Sequence, residues 1–179
     1  QVKSPAGVTE MLRARGADAI VVPAHVLPVD LPVWIAATTR MRNVDGIIVT
    51  VPHKFAAAHL CNETSAQARS IGAVNVMRRH ASGGWYGDML DGAGYVAGLR
   101  QAGCGLQGRK ALLVGAGGAG SAIAHALVDA GIAGLALHEA DDDTGNAAKQ
   151  HSPEHQRILL FLARHGEAPE RVKEQGAIG

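Results

Sequence analysis

The sequence predicts an α/β protein made of two successive units. Three observations carry that expectation. Short aliphatic runs, "AIVV", "GIIVTV" and "ALLV", recur between segments whose apolar residues fall at helical spacing. Alternation of that kind is the pattern of a mostly parallel sheet covered on both faces. A polar, glycine-rich stretch, "CGLQGRK" at 104–110, divides the chain between the second and third runs.

Composition agrees with that class. The 179 residues are 47% hydrophobic and 18% charged, with 23 glycines, which suits a globular chain with many tight turns. The length allows one sizeable core or two small ones. Trp, Tyr and Phe occur only twice each, so the core must be built from Ala, Val, Leu and Ile. A net charge of +1 gives no case for nucleic acid or a membrane surface. Pro23, Pro28, Asp30 and Pro32 interrupt the longest apolar stretch, short of the roughly 20 residues that a membrane helix needs. Cys61 and Cys104 are far apart, the nine histidines show no ligand spacing, and no signal peptide is visible. A reduced, cytoplasmic protein without a metal is expected, as a monomer or homodimer.

The elements follow in order. "PAGVTEMLRARG", 5–16, is a helix that starts on proline and stops at Gly16. "DAIVVPAHV" reads as a strand and its exit. "LPVWIAATTRMRNV" reads as a helix with Val33, Ile35, Ala36 and Met41 inward. Residues 46–51 form a strand buried on both faces, and Pro52, which fits a first helical turn, opens the next helix. "SAQARSIGAVNVMRR" ends one helix and opens a strand at Ala73 to Met77. "GDMLDGAGYVAGLRQAG" begins in a turn and becomes a helix ending near Gly103.

The clearest local signal lies in "KALLVGAGGAGSAIAHALVDAG". "ALLV" is a buried strand, and Gly115, Gly117 and Gly120 form G-x-G-x-x-G. Ile123, Ala126, Leu127 and Ala130 then follow at helical spacing, and Gly131 offers a C-cap. The first glycine permits the tight turn and the second lets backbone approach a pyrophosphate. The third lets helix and strand pack closely. With Ala116, Gly118 and Ala119 these residues would wrap the phosphates at the helix N-terminus, where N–H donors and the dipole favour anions. "LALH" is the second strand, ending at Glu139 in the place of the ribose-binding acid. This is a Rossmann-type, doubly wound arrangement. "HEADDD" supplies Glu139 and Asp141 and no basic residue before Lys149, so charge favours NAD, with NADP as the alternative.

Lys54 raises a different question, because a cation in a first helical turn opposes the macrodipole. Two other stretches look chemical: "IGAVNV", with Asn75 inside an apolar run, and "GDMLDGAG", with Asp91 before Gly92 and Gly94. Singly, each has a plain structural explanation; Asn75 could bond nearby backbone and Asp91 could cap a helix. Together, "VTVPHK", "GAVN", "DGAG" and "GAGGAG", in this order, resemble the shikimate dehydrogenase family, which includes shikimate/quinate enzymes. The resemblance implies a two-domain fold, with a substrate unit at 1–103, a partial Rossmann unit at 104–150 and a C-terminal helix and tail at 151–179. It implies Lys54 and Asp91 as a catalytic pair, and Ser4, Thr50 and Asn75 as contacts to a small-molecule substrate. It also implies Gln156, in "EHQRILLFLA", as a further contact from a helix returning to the substrate unit. The reaction would be hydride transfer between shikimate or quinate and a nicotinamide, in the chorismate pathway or quinate catabolism. The alternative is a non-catalytic dinucleotide- or metabolite-binding protein of the same fold.

Departures from the family pattern bear on substrate choice. Val2, Ile48, Met89 and Leu90 stand where polar residues are usual, which predicts a less polar site and a shift towards quinate or a less hydroxylated relative. Residues 142–179 contain no segment that reads as a strand. The sequence is therefore expected to lack an N-terminal strand and a long segment near 141–153 of a full family member.

Overall fold

A computed structural model describes residues 4–138, which form two sheets with helices around them. Helix α1 (Ser4–Ala14) is followed by an extended segment, a 3₁₀ turn at Pro28–Asp30 and α2 (Leu31–Thr39). The first sheet holds β1 (Gly46–Ile48), β2 (Glu63–Thr64), β3 (Val76–Arg79) and β4 (Trp85–Asp88), in the order β1-β3-β4-β2. Between these lie α3 (Lys54–Ala58) and α4 (Ala66–Ile71), the latter capped by Ser65, whose Oγ accepts from Ala68 N at 3.0 Å. Helix α5 (Asp91–Gln101) leads to the second sheet, in which β5 (Lys110–Val114) and β6 (Gly134–His138) run parallel around α6 (Gly118–Asp129).

The fold is mixed α/β, but the first sheet is not mostly parallel. β1 pairs antiparallel with β3 and β3 antiparallel with β4; only β2 and β4 are parallel. The reason is a hairpin. Gly83 (φ +91°) and Gly84 (φ +76°) turn the chain tightly between β3 and β4, a geometry that glycine adopts without strain. The sequence pattern predicts no strand at 85–88 and only a turn at the start of "GDMLDGAGYVAGLRQAG", so β4 is an addition.

Other boundaries move as well. "DAIVVPAHV" forms no strand: Pro23 interrupts it, Val21 N donates to the Thr9 hydroxyl at 2.9 Å, and Ile20 and Val22 are exposed. β1 ends at Ile48, whose side chain is half exposed, so the strand is not buried on both faces. The bond before Pro52 is cis, and α3 starts at Lys54 rather than at Pro52. β3 starts at Val76; Ala73 and Val74 before it are buried, with Val74 N bonded to Lys54 O at 3.0 Å. In α2 the buried residues are Leu31, Ile35 and Thr38, whereas Val33 and Ala36 face solvent, as does Met41 beyond the helix end. β5 is covered on one face only: Leu112 and Val114 are 71% and 63% exposed.

Two cores result. The first gathers Leu31, Ile35, Val49, Ala57, Ile71, Val74, Met77 and Met89 around the buried Trp85, and it reaches Ala122 of α6. The second packs Val96 of α5 and Leu106 against Ala124, Leu127 and Leu135. Helices α5 and α6 join them. A Cβ added at Gly92 would lie 2.1 Å from Ala122 O, so only glycine permits this approach.

Candidate active site

β5 delivers the chain to Gly115, whose φ of +95° makes the sharp turn towards α6. Gly117 stands at the N-cap, and a Cβ there would meet open space. At Gly120 a Cβ would fall 2.0 Å from Gly115 O, so the third glycine is what lets helix and turn close on each other. Ser121 Oγ donates to Ala116 O at 2.9 Å and ties the loop down. Helix α6 is 12 residues long and starts at Gly118 behind an open glycine surface, which suits a pyrophosphate. Of the residues expected at the cofactor, Gly115, Ala116, Gly117, Gly118, Ala119 and Gly120 form this one loop and helix start. Glu139 and Asp141 lie outside the described residues, as does Gln156.

α6 begins beside Lys54. A Cβ at Gly118 would sit 3.4 Å from Lys54 Cδ and 3.5 Å from its Cβ, in ordinary van der Waals contact. The phosphate-binding turn and the lysine therefore share one wall, although 64 positions apart in numbering. Lys54 Nζ donates to Asp91 Oδ2 at 2.5 Å, and the two side chains are 11% and 25% exposed. The other oxygen, Asp91 Oδ1, accepts from Asn75 Nδ2 at 2.6 Å, and Asn75 Oδ1 accepts from Leu90 N at 2.8 Å. Lys54, Asp91 and Asn75, separated in sequence, thus form one hydrogen-bonded chain at the seam between the two sheets.

Local structure explains how they meet. Asp91 is the first residue of α5, a position favourable to a carboxylate. The turn before it is fixed by Asp88, whose Oδ1 accepts from Met89 N at 2.7 Å and from Ser65 Oγ at 2.6 Å. His53 Nε2 donates to Val26 O at 2.9 Å and pins the extended segment against the start of α3. Neither Asp88 nor His53 was singled out from sequence. The aspartate had a signal, since it precedes a turn whose amides need acceptors; the histidine, bonded across 27 positions, had none.

The remaining expected residues stand apart from this chain. Ser4 opens α1 and Thr50 precedes Pro52; both are exposed, and neither hydroxyl joins the Lys54–Asp91–Asn75 chain. Of the apolar departures, Ile48 and Leu90 are about half exposed, whereas Met89 is fully buried in the first core and cannot line a substrate rim. Val2 lies outside the described residues. Among the described residues, no group of three or more His, Cys, Asp or Glu gathers as a metal site. No helix among them is long and apolar enough to cross a membrane.

Residues 1–77 match the family model described as the shikimate dehydrogenase substrate binding domain. A curated relative from Xylella fastidiosa (strain Temecula1), named shikimate dehydrogenase (NADP(+)), is 47% identical over 93 residues. That match takes in 51% of this chain and 33% of the relative, so the chain spans only about a third of that protein. Among solved structures, shikimate 5-dehydrogenase from Listeria monocytogenes, in complex with shikimate and NAD, superposes with a TM-score of 0.70 at 28% identity, over 78% of this chain and 48% of that one. A ligand-free 5-ketofructose reductase from Gluconobacter sp. superposes with a TM-score of 0.66 at 30% identity, over 75% of this chain and 47% of the other.

Proposed function

We propose that this chain, whose residues 1–77 match the shikimate dehydrogenase substrate binding domain, is a member of the shikimate dehydrogenase family and interconverts a ring hydroxyl and a ketone at the expense of a nicotinamide dinucleotide. Shikimate and 3-dehydroshikimate, or quinate and 3-dehydroquinate, are the substrate pairs. The observation that supports this most is the Lys54–Asp91 bridge of 2.5 Å beside the start of α6. A protein that only binds a nucleotide has no use for an acid–base pair at that wall.

The chain's own residues divide the work. Lys54 Nζ takes the hydroxyl proton during oxidation and returns it to the developing alkoxide during reduction. Asp91 Oδ2 holds the ammonium at the spot where that proton is exchanged. Gly115 to Gly120 and the first amides of α6 would hold the pyrophosphate, on the same wall as Lys54. The nicotinamide supplies the acceptor or donor of hydride. Ser4 and Thr50 face substrate hydroxyls in a substrate unit at 1–103, and 104–150 is the cofactor unit; Gln156 and the segment 151–179 lie outside the described residues.

The relatives' names indicate NADP, whereas the carboxylates Glu139 and Asp141 favour NAD by charge. A ratio of kcat/KM for NAD over NADP below one sides with the relatives, and above one with the carboxylates. Ile48 and Leu90, the exposed apolar replacements, are the candidates for altered substrate choice. One structural neighbour is itself named for a ketose rather than for shikimate.

The test is absorbance in the reduced-nicotinamide band, with either cofactor against shikimate and quinate. Turnover is expected, and Lys54→Ala is expected to lower kcat by about 10²–10⁴-fold, the range for a lost general acid–base group. Folded protein that binds the dinucleotide in a calorimeter but shows no turnover with any pair would favour the non-catalytic reading.

A further inference from the structure

Asn75 is engaged on every polar atom it has. Its backbone N donates to Asp88 O at 2.9 Å, and its backbone O accepts from Val49 N at 2.7 Å. Its side-chain Oδ1 accepts from Leu90 N at 2.8 Å, and Nδ2 donates to Asp91 Oδ1 at 2.6 Å. The backbone bonds fix the Cα between the ends of β1 and β4. The Leu90 amide, a donor only, fixes which end of the side chain is oxygen. The NH₂ is therefore forced towards Asp91. A swapped amide would set a donor against the Leu90 N–H and an acceptor against a carboxylate.

We propose that Asn75 is a positioning residue for Asp91. It acts on the reaction through the orientation of the Asp91–Lys54 pair. One carboxylate oxygen belongs to Asn75 and the other to Lys54, so the plane of the carboxylate is set by two donors on opposite sides. Each donor restrains the rotation that the other leaves free. Loss of the Asn75 donor lets the carboxylate turn about its last bond, and Lys54 Nζ loses its fixed place. Misplacement of that order lowers the rate without altering how the substrate is held. This inference rests on the dehydrogenase reading for its kinetic form.

Four proteins test it: wild type, Asn75→Ala, Asp91→Ala and the double variant, with Asn75→Ser in place of alanine if that variant does not fold. Asn75→Ala is expected to lower kcat on the order of 10²-fold with KM within about twofold. In the Asp91→Ala background the same substitution is expected to change kcat by less than about twofold, because the group it acts on is gone. A rise in KM at unchanged kcat, or effects that multiply in the double variant, would overturn the proposal. Wild type inert with every substrate and cofactor would count against the dehydrogenase reading alone. The thermal midpoints of the four proteins then decide about Asn75. A shift that vanishes in the Asp91→Ala background supports the coupling, and additive shifts overturn it.

Discussion

Lys54 opens α3 and Cys61 lies seven positions on, past its end, and their surroundings give them opposite chemistry. Lys54 is drawn into a polar seam by a carboxylate. Cys61 Sγ donates to the Ala57 carbonyl at 3.3 Å, and burial pushes its thiol up to about 11. The thiol stays protonated and half shielded, whereas Cys104 is exposed. At pH 8 a thiol reagent is expected to label Cys104 rapidly and Cys61 slowly; equal rates would refute the assignment. Burial raises the folded thiol above its ordinary value of 9.0, so the unfolded chain ionises first as pH rises. The neutral thiol's contribution is complete below pH 9 and is lost as pH rises towards about 11, so Cys61→Ala is expected to flatten the alkaline fall in stability. Of the site residues, Lys54, Asp91 and Asn75 were legible because each breaks its local pattern: a cation at a helix start, an acid before Gly-x-Gly, an amide in an apolar run. Asp88 and His53 were not, since their roles depend on partners far along the chain.

Helix α2 is anchored by a single arginine. Arg79, at the end of β3, donates through Nε to Val44 O at 2.7 Å and through Nη1 to Thr39 O at 2.7 Å. Its Nη2 donates to Thr38 O at 3.2 Å and also to Met41 O. The guanidinium lies 4.4 Å above the Trp85 ring, and the indole N–H donates to the Thr39 hydroxyl at 2.7 Å. These bonds satisfy carbonyls at the end of α2 that the helix leaves open. A lysine cannot serve several carbonyls in one plane. Arg79→Lys is expected to lower the unfolding free energy by about 2 kcal/mol, as charged hydrogen bonds are lost; a change under about 0.5 kcal/mol in urea titration would contradict this. The same region shows where sequence periodicity fell short. "WYGD" has its buried residues, Trp85 and Gly87, in strand alternation, yet Gly87 carries no apolar side chain to announce it. The hairpin glycines were the available signal.

Two cores and one joint make up the described molecule. The sequence divides where the chain leaves α5, but packing does not: Ala122 of α6 belongs to the first core and Val96 of α5 to the second. Local patterns could not disclose this exchange, because it depends on the close approach of Gly92 to Ala122. Gly92→Ala places a Cβ 2.1 Å from a backbone carbonyl and is expected to cost about 1–3 kcal/mol. Gly94→Ala, two residues along the same helix with nothing within 4 Å, is expected to be neutral or to stabilise by about 0.5–1 kcal/mol. Similar unfolding midpoints for the two variants would show that the approach carries no weight. The interlock also has a kinematic meaning. With α5 keyed into α6, those helices travel together, so Asp91 rides with the second sheet while Lys54 rides with the first. Any opening of one sheet from the other would be felt as tension on the two bonds of one carboxylate, to Lys54 and to Asn75, which makes Asp91 a strain gauge between the halves.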